Sequence, residues 1–253
     1  YATVESWAEE HGCALTEEDR TAMRQEWTAR TAQYGGEDAY LAELARLGLT
    51  RDQAEELSAD AYLYRQLYER FRTEGSDLYP AERDLETFAR QQGYLTVDHI
   101  WISAAAASDE DLAACRARAE EAFGKLNASA DPAHDFAVLA ATYSDETDRD
   151  QHPEGYTLRA GDGILPAACE AAAADLEPGQ WSGVIEAEDG FYLLLRKDTD
   201  LDAVAPDYFD ALLQAAAESA EISQTRACAE LDVSRFYERL LQARSSLSGG
   251  GAA

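Results

Sequence analysis

Apolar positions recur at three- and four-residue steps through most of the chain. Between Leu95 and Asp198 the pattern changes to short, dense apolar runs, beginning LTVDHIWIS and ending SGVIEAEDGFYLLLRKD. Ahead of it, Thr16 followed by Glu17, Glu18 and Asp19 reads as an N-cap with first-turn acids. Ala22, Met23, Glu26, Trp27 and Arg30 carry that helix to a stop at Gly35-Gly36. A shorter helix is predicted from Glu37 to Leu47, ending at Gly48. Thr50 to Gln53 has capping-box spacing, and Leu57, Ala61, Tyr64, Leu67, Tyr68 and Phe71 keep the helical period after it. Pro80, placed at a first helical position, opens one more helix towards Gln92.

The dense stretch reads as an apolar strand carrying His99, two helical segments, a Gly-containing loop and two short strands parted by Asp189-Gly190. The helix opened by Asp131-Pro132 puts Phe136, Leu139, Ala140 and Tyr143 on one core-facing side. Ser144 to Gly163 has no period and gathers Asp145, Asp148 and Asp150, so it is predicted as a long loop and the first place to look for chemistry. Downstream, Pro206 is expected to start a helix from Asp207 to near Leu231, with another opened by Asp232 or Ser234 towards Ser246. These elements describe an α+β chain. Helices at both ends must bury their stripes, and the economical solution packs them together with the central module inserted. The expected domains are 1–94 (helical), 95–198 (α+β), 199–247 (helices packing on the first part) and a flexible tail, 248–253.

Composition adds one strong feature, a formal charge of -29 from 50 acids and 21 Lys plus Arg. With 46% apolar residues the chain folds, so the charge is a surface property. Such a surface repels phosphate backbones and anionic lipid, which argues against nucleic acid and favours cationic or unfolded partners. No apolar run reaches the ~18 residues of a bilayer span. The chain begins at Tyr1 rather than Met, leaving room for a removed targeting segment.

Cys13, Cys115, Cys169 and Cys228 form no CxxC, which argues against zinc and a redox pair; they read as free buried thiols, with one or two disulfides left open. Asp145, Asp148 and Asp150 alternate like the start of a calcium loop but lack its glycine and distal glutamate in register, so no metal or cofactor is expected. His11, His134 and His152 have no ligand spacing and read as surface residues. Tyr62, Tyr64, Leu67, Tyr68 and Phe71 read first as core, with any aromatic surface left over suited to loose binding of unfolded segments.

Val97-Asp98-His99-Ile100, Phe136 to Ala140 followed by Tyr143 to Glu146, Gly155-Tyr156, Leu176 to Ser182 and Gly190 to Leu193 stand in an order that resembles the parvulin family of peptidyl-prolyl isomerases. Tyr34 to Asp38 through Leu47 to Gln53 looks like the N-terminal helical domain of extracytoplasmic foldases, of the surface-anchored PrsA type or the periplasmic SurA type. The resemblance implies a small parvulin-like, FKBP-like superfold domain of about four strands, inserted in an all-helical chaperone domain. It also implies binding of X-Pro segments of exported client proteins, at the cell surface or in the periplasm. An N-terminal lipid anchor outside this stretch and a homodimer are both compatible with it.

Site residues carry over one at a time. His99 matches the family's first histidine, Glu146 (or Asp145) its Cys or Asp position, and Tyr192 stands where the second histidine belongs. In the proline pocket Glu154 replaces a leucine, Leu165 or Ile164 a methionine, and Cys169 or Ala168 a phenylalanine; Tyr156 and Phe191 complete the expected substrate contacts. Losing the aromatic floor removes about 2–3 kcal/mol of apolar contact with a proline ring. An inward Glu154 would add a desolvation cost. His99 has a second reading, a core histidine bonded to Ser144 or Tyr192. Two functions follow: a foldase with weak isomerase activity, and a holdase whose parvulin module is a scaffold.

Overall fold

The computed structural model describes residues 2–104, 108–220, 226, 230 and 232–248. Capping chemistry starts the N-terminal helices where the sequence places it. After α1 (Ala2–Glu10), α2 (Glu17–Gln33) opens on a capping box between Thr16 and Asp19, and α4 (Arg51–Phe71) on one between Thr50 and Gln53. Between them lies α3 (Glu37–Arg46). The stripe of α4 is rotated from the expected one: Leu57 and Ala61 are exposed, while Ala54, Tyr62, Leu67 and Phe71 are buried. Helix α5 (Glu82–Gln92) begins two residues after Pro80, which therefore lies outside it.

The central element is a four-stranded antiparallel sheet in the order β2-β1-β4-β3, with β1 Leu95–Ser103, β2 Tyr156–Leu158, β3 Ile185–Ala187 and β4 Gly190–Lys197. Strand β2 lies inside the stretch expected to be loop. Its three residues are too few to show a period, and it exists because it pairs with Leu95–Val97. Helices α6 (Asp109–Asn127) and α7 (Pro132–Tyr143) cover one face, where Ile100, Ile102, Phe191, Leu193 and Leu195 pack with Leu126, Phe136, Leu139 and Tyr143. Beneath the other face lies α8 (Ala167–Ala174), where Leu95, Val97, Tyr192 and Leu194 meet Leu165, Cys169 and Ala173.

Helix α9 runs Leu201–Ser219, beginning before Pro206 rather than after it. Asp200 supplies the start signal, its Oδ1 accepting from Asp202 N and Ala203 N, and Pro206 forgoes one helical hydrogen bond inside the helix. The last helix, α10, spans Val233–Ser248. Leu231, Cys228 and 249–253 lie outside the described residues.

The chain divides into two compact units, Pro80–Tyr208, and Tyr1–Tyr79 with Phe209–Ala253. The first is wider than 95–198 because Ala89 and Tyr94 share a small core with Val204. In the second, Phe209 is fully buried, with ring centroids 5.3, 5.4 and 5.1 Å from Tyr64, Tyr68 and Phe71. The aromatic stripe of α4 is thus largely consumed as core. Among the described residues no helix is long and apolar enough to cross a membrane.

Candidate active site

Alternation along paired strands builds the site. On β1, His99 shares the α8-facing side of the sheet with Val97 and Trp101, and β4 brings Tyr192 and Leu194 to the same side. The His99 ring lies 5.7 Å from that of Tyr192 and 4.9 Å from that of Tyr156 on β2. Glu146 arrives from the segment after α7. That segment is tied to β1 by Asp145 N donating to Trp101 O at 2.7 Å and by Trp101 N donating to Ser144 Oγ at 3.1 Å. Held in this extended course, neighbouring side chains diverge. Glu146 turns inward, Oε1 3.1 Å from His99 Nε2 and 2.5 Å from the Tyr156 hydroxyl that donates to it. Asp145 turns outward, accepting from Ser103 N and pairing with Arg118 at 3.2 Å, so it is not the acid of the site. Nor do Ser144 or the Tyr192 hydroxyl hold His99; the ring's polar neighbour is Glu146.

Burial lowers the proton affinity of His99 below its ordinary value, against the opposing pull of Glu146 and Asp98. The ring is therefore neutral near pH 7, with Nε2 turned to the Glu146 carboxylate. His99 Nδ1 and Glu146 Oε2 are buried with no hydrogen-bond partner among the described residues. The Tyr156 and Tyr192 hydroxyls are both pushed up, first by burial and then by donating to Glu146 and Asp189; the Tyr192 bond is 2.7 Å long.

The expected pocket residues separate into three groups. Leu165 and Cys169 do lie beside Tyr192, but as packed core, with Cys169 fully buried and its thiol pushed up to about 12 by burial. Glu154 points away from the site, its exposed carboxylate 3.6 Å from Lys197 Nζ, so the feared desolvation does not arise. Phe191 is on the opposite face, buried under α6 and α7, because residues adjacent along a strand project to opposite sides. It cannot touch a substrate held beside Tyr192.

Four supporting residues are not expected at the site from sequence, which reads Asp189 as part of a strand break and His152 as a surface residue. Asp189, in the β3–β4 turn, fixes Tyr192. Glu170 is buried and accepts from Gly161 N and Leu165 N at 2.7 and 3.2 Å, setting the entry to α8. Arg149 pairs with Asp98 at 2.8 Å beside His99. His152 lies against Tyr156, ring centroids 4.3 Å apart. A lone acid in the alanine-rich run AACEAAAA was the one available signal for Glu170; the others depend on contacts across the fold. Together the residues make a closed, polar-walled aromatic cluster with a neutral imidazole beside a carboxylate.

The family model Rotamase, PPIC-type PPIase domain, matches residues 99–198, which contain His99, Glu146 and Tyr192. No curated protein matches the chain in sequence. Among solved structures, PrsA from Bacillus subtilis is 14% identical over 100% of this chain and 80% of its own, with a TM-score of 0.35. A PpiC-type isomerase domain is 23% identical over 42% of this chain and 91% of its own, with a TM-score of 0.35. A SurA-like chaperone from Campylobacter jejuni is 13% identical over 88% of this chain and 94% of its own, with a TM-score of 0.32. Superpositions this loose transfer no residue roles.

Proposed function

Since residues 99–198 form a PPIC-type rotamase domain of the parvulin kind, we propose that the chain is an extracytoplasmic folding factor that binds X-Pro segments of exported proteins and turns their peptide bonds with weak activity. The observation that carries this reading is the convergence of His99, Glu146 and Tyr192 on one face of the sheet within the matched stretch. The barrier to amide rotation is about 18–20 kcal/mol and comes from resonance, so no bond to the protein is needed. Lowering it requires a wall that favours the twisted amide over the planar one. Here Glu146 holds the neutral ring of His99 in place and Asp189 holds Tyr192, so the wall is oriented before the substrate arrives. In this reading the helical unit holds the rest of the client. The test is exchange spectroscopy on an X-Pro peptide with the full chain. A modest acceleration lost in His99→Ala is expected, and no acceleration at equimolar protein overturns the isomerase.

A second reading, a holdase with a scaffold domain, is favoured by a different observation. His99, Cys169, Leu165 and Tyr192, the residues expected to meet a proline ring, are all under a tenth exposed and packed in the core of the domain. It is distinguished by suppression of client aggregation that His99→Ala leaves intact, with no isomerisation.

A further inference from the structure

One groove of the helical unit gathers more cations than acids in this acidic chain. A groove of about 400 Å³ runs between α2, α3 and α4, with Met23, Trp27 and Tyr40 as its apolar wall and Arg24, Arg30 and Arg51 among its lining cations. Two acids also line it, and both are engaged, Glu26 by the Tyr62 hydroxyl at 2.8 Å and Glu55 by Arg51 at 2.8 Å. Arg24 and Arg30 have no carboxylate within 4.0 Å among the described residues, although the chain holds 50 acids to 21 cations. Beside them, the Trp27 indole N–H is buried without an acceptor, a donor that costs free energy until something supplies one. The Trp27 ring is otherwise well held, edge-on to Tyr40 at 5.2 Å and under the Arg51 guanidinium at 4.8 Å.

We propose that this groove binds an extended polypeptide segment carrying a carboxylate beside an apolar side chain. A main-chain carbonyl of the segment accepts from Trp27 Nε1, its apolar side chain lies on Met23, Trp27 and Tyr40, and its carboxylate takes Arg24 and Arg30. The chain's overall charge repels such a segment at long range. Screening limits that repulsion to about 8 Å at physiological salt, so within the groove the nearby guanidiniums decide the sign. The proposal rests on the reading of the helical unit as the holder of clients, but not on isomerase activity.

The experiment uses the full chain and labelled peptides of one apolar sequence with flanking Asp or flanking Lys, read by fluorescence anisotropy. The Asp peptide is expected to bind more tightly, and Arg24→Gln with Arg30→Gln to weaken it about tenfold while circular dichroism shows the helices retained. Trp27→Phe keeps the apolar wall, removes the donor and should weaken both peptides. Equal binding of the two peptides, or no effect of the arginine pair, overturns the proposal. So does a dimer that the arginine variant dissociates while no peptide binds, since the occupant would then be a second copy. Peptide binding with no suppression of client aggregation sinks the holdase role and leaves the groove standing; suppression of aggregation with no effect of the arginine pair on peptide binding does the reverse.

Discussion

His99 Nε2 stands 3.1 Å from Glu146 Oε1, and both side chains are under a tenth exposed. A neutral imidazole packed against a carboxylate in so closed a place is a structural contact as well as a candidate catalytic one. Glu146→Gln keeps the shape but exchanges a charged acceptor for a neutral one, with loss of about 1–2 kcal/mol expected in urea unfolding. His99→Ala leaves the carboxylate facing a void and should lose more, about 2–4 kcal/mol.

The protonation of His99 sets a pH dependence. Its folded proton affinity lies below the ordinary value of 6.5, so on acidification the unfolded chain takes the proton first. The stability due to the neutral ring is therefore present above 6.5 and lost as pH falls below it, at no more than about 1.4 kcal/mol per pH unit. The decline between about pH 7 and 5.5 should be steeper in the native chain than in His99→Gln; parallel profiles would show that the ring is not held neutral.

Tyr192→Phe removes the only hydroxyl bonded to Asp189 and leaves its Oδ1 and Oδ2 both unpaired among the described residues. A loss of about 1–3 kcal/mol is expected. Thermal unfolding measured alongside Asp189→Asn and the double variant should show coupling between the two positions.

Cys169, with a thiol pushed up to about 12 and no exposure, should resist alkylation in the folded chain and react in urea, as read by mass spectrometry of its peptide. Labelling of the native chain at a rate near that of a free thiol would show that the floor of the site opens.

Gly190→Ala should unfold the sheet domain or destabilise it by more than about 3 kcal/mol. Gly190 has φ +151°, and an added Cβ would lie 2.1 Å from Ile102 O, in backbone paired with the end of β1. The thermal transition of the full chain measures it.

What the sequence determined by itself is what neighbours along the chain can encode. Thr16, Thr50 and Asp131 announce helix starts through side chains that reach three residues ahead, and the i, i+3, i+4, i+7 face of α7 is buried as its period requires. The order of short motifs likewise located the stretch, 99–198, that the rotamase family model matches. Contacts between distant residues decided the rest. The backbone tie of the Ser144–Asp145 segment to Trp101 chose Glu146 over Asp145; strand alternation put Phe191 beneath α6 and α7; Lys197 drew Glu154 out to solvent. No local pattern could reveal that Arg24 and Arg30 lack acids among the described residues, because a salt bridge depends on what the fold brings within 4 Å. Periodicity is a property of a segment, whereas burial and charge pairing belong to the assembled chain.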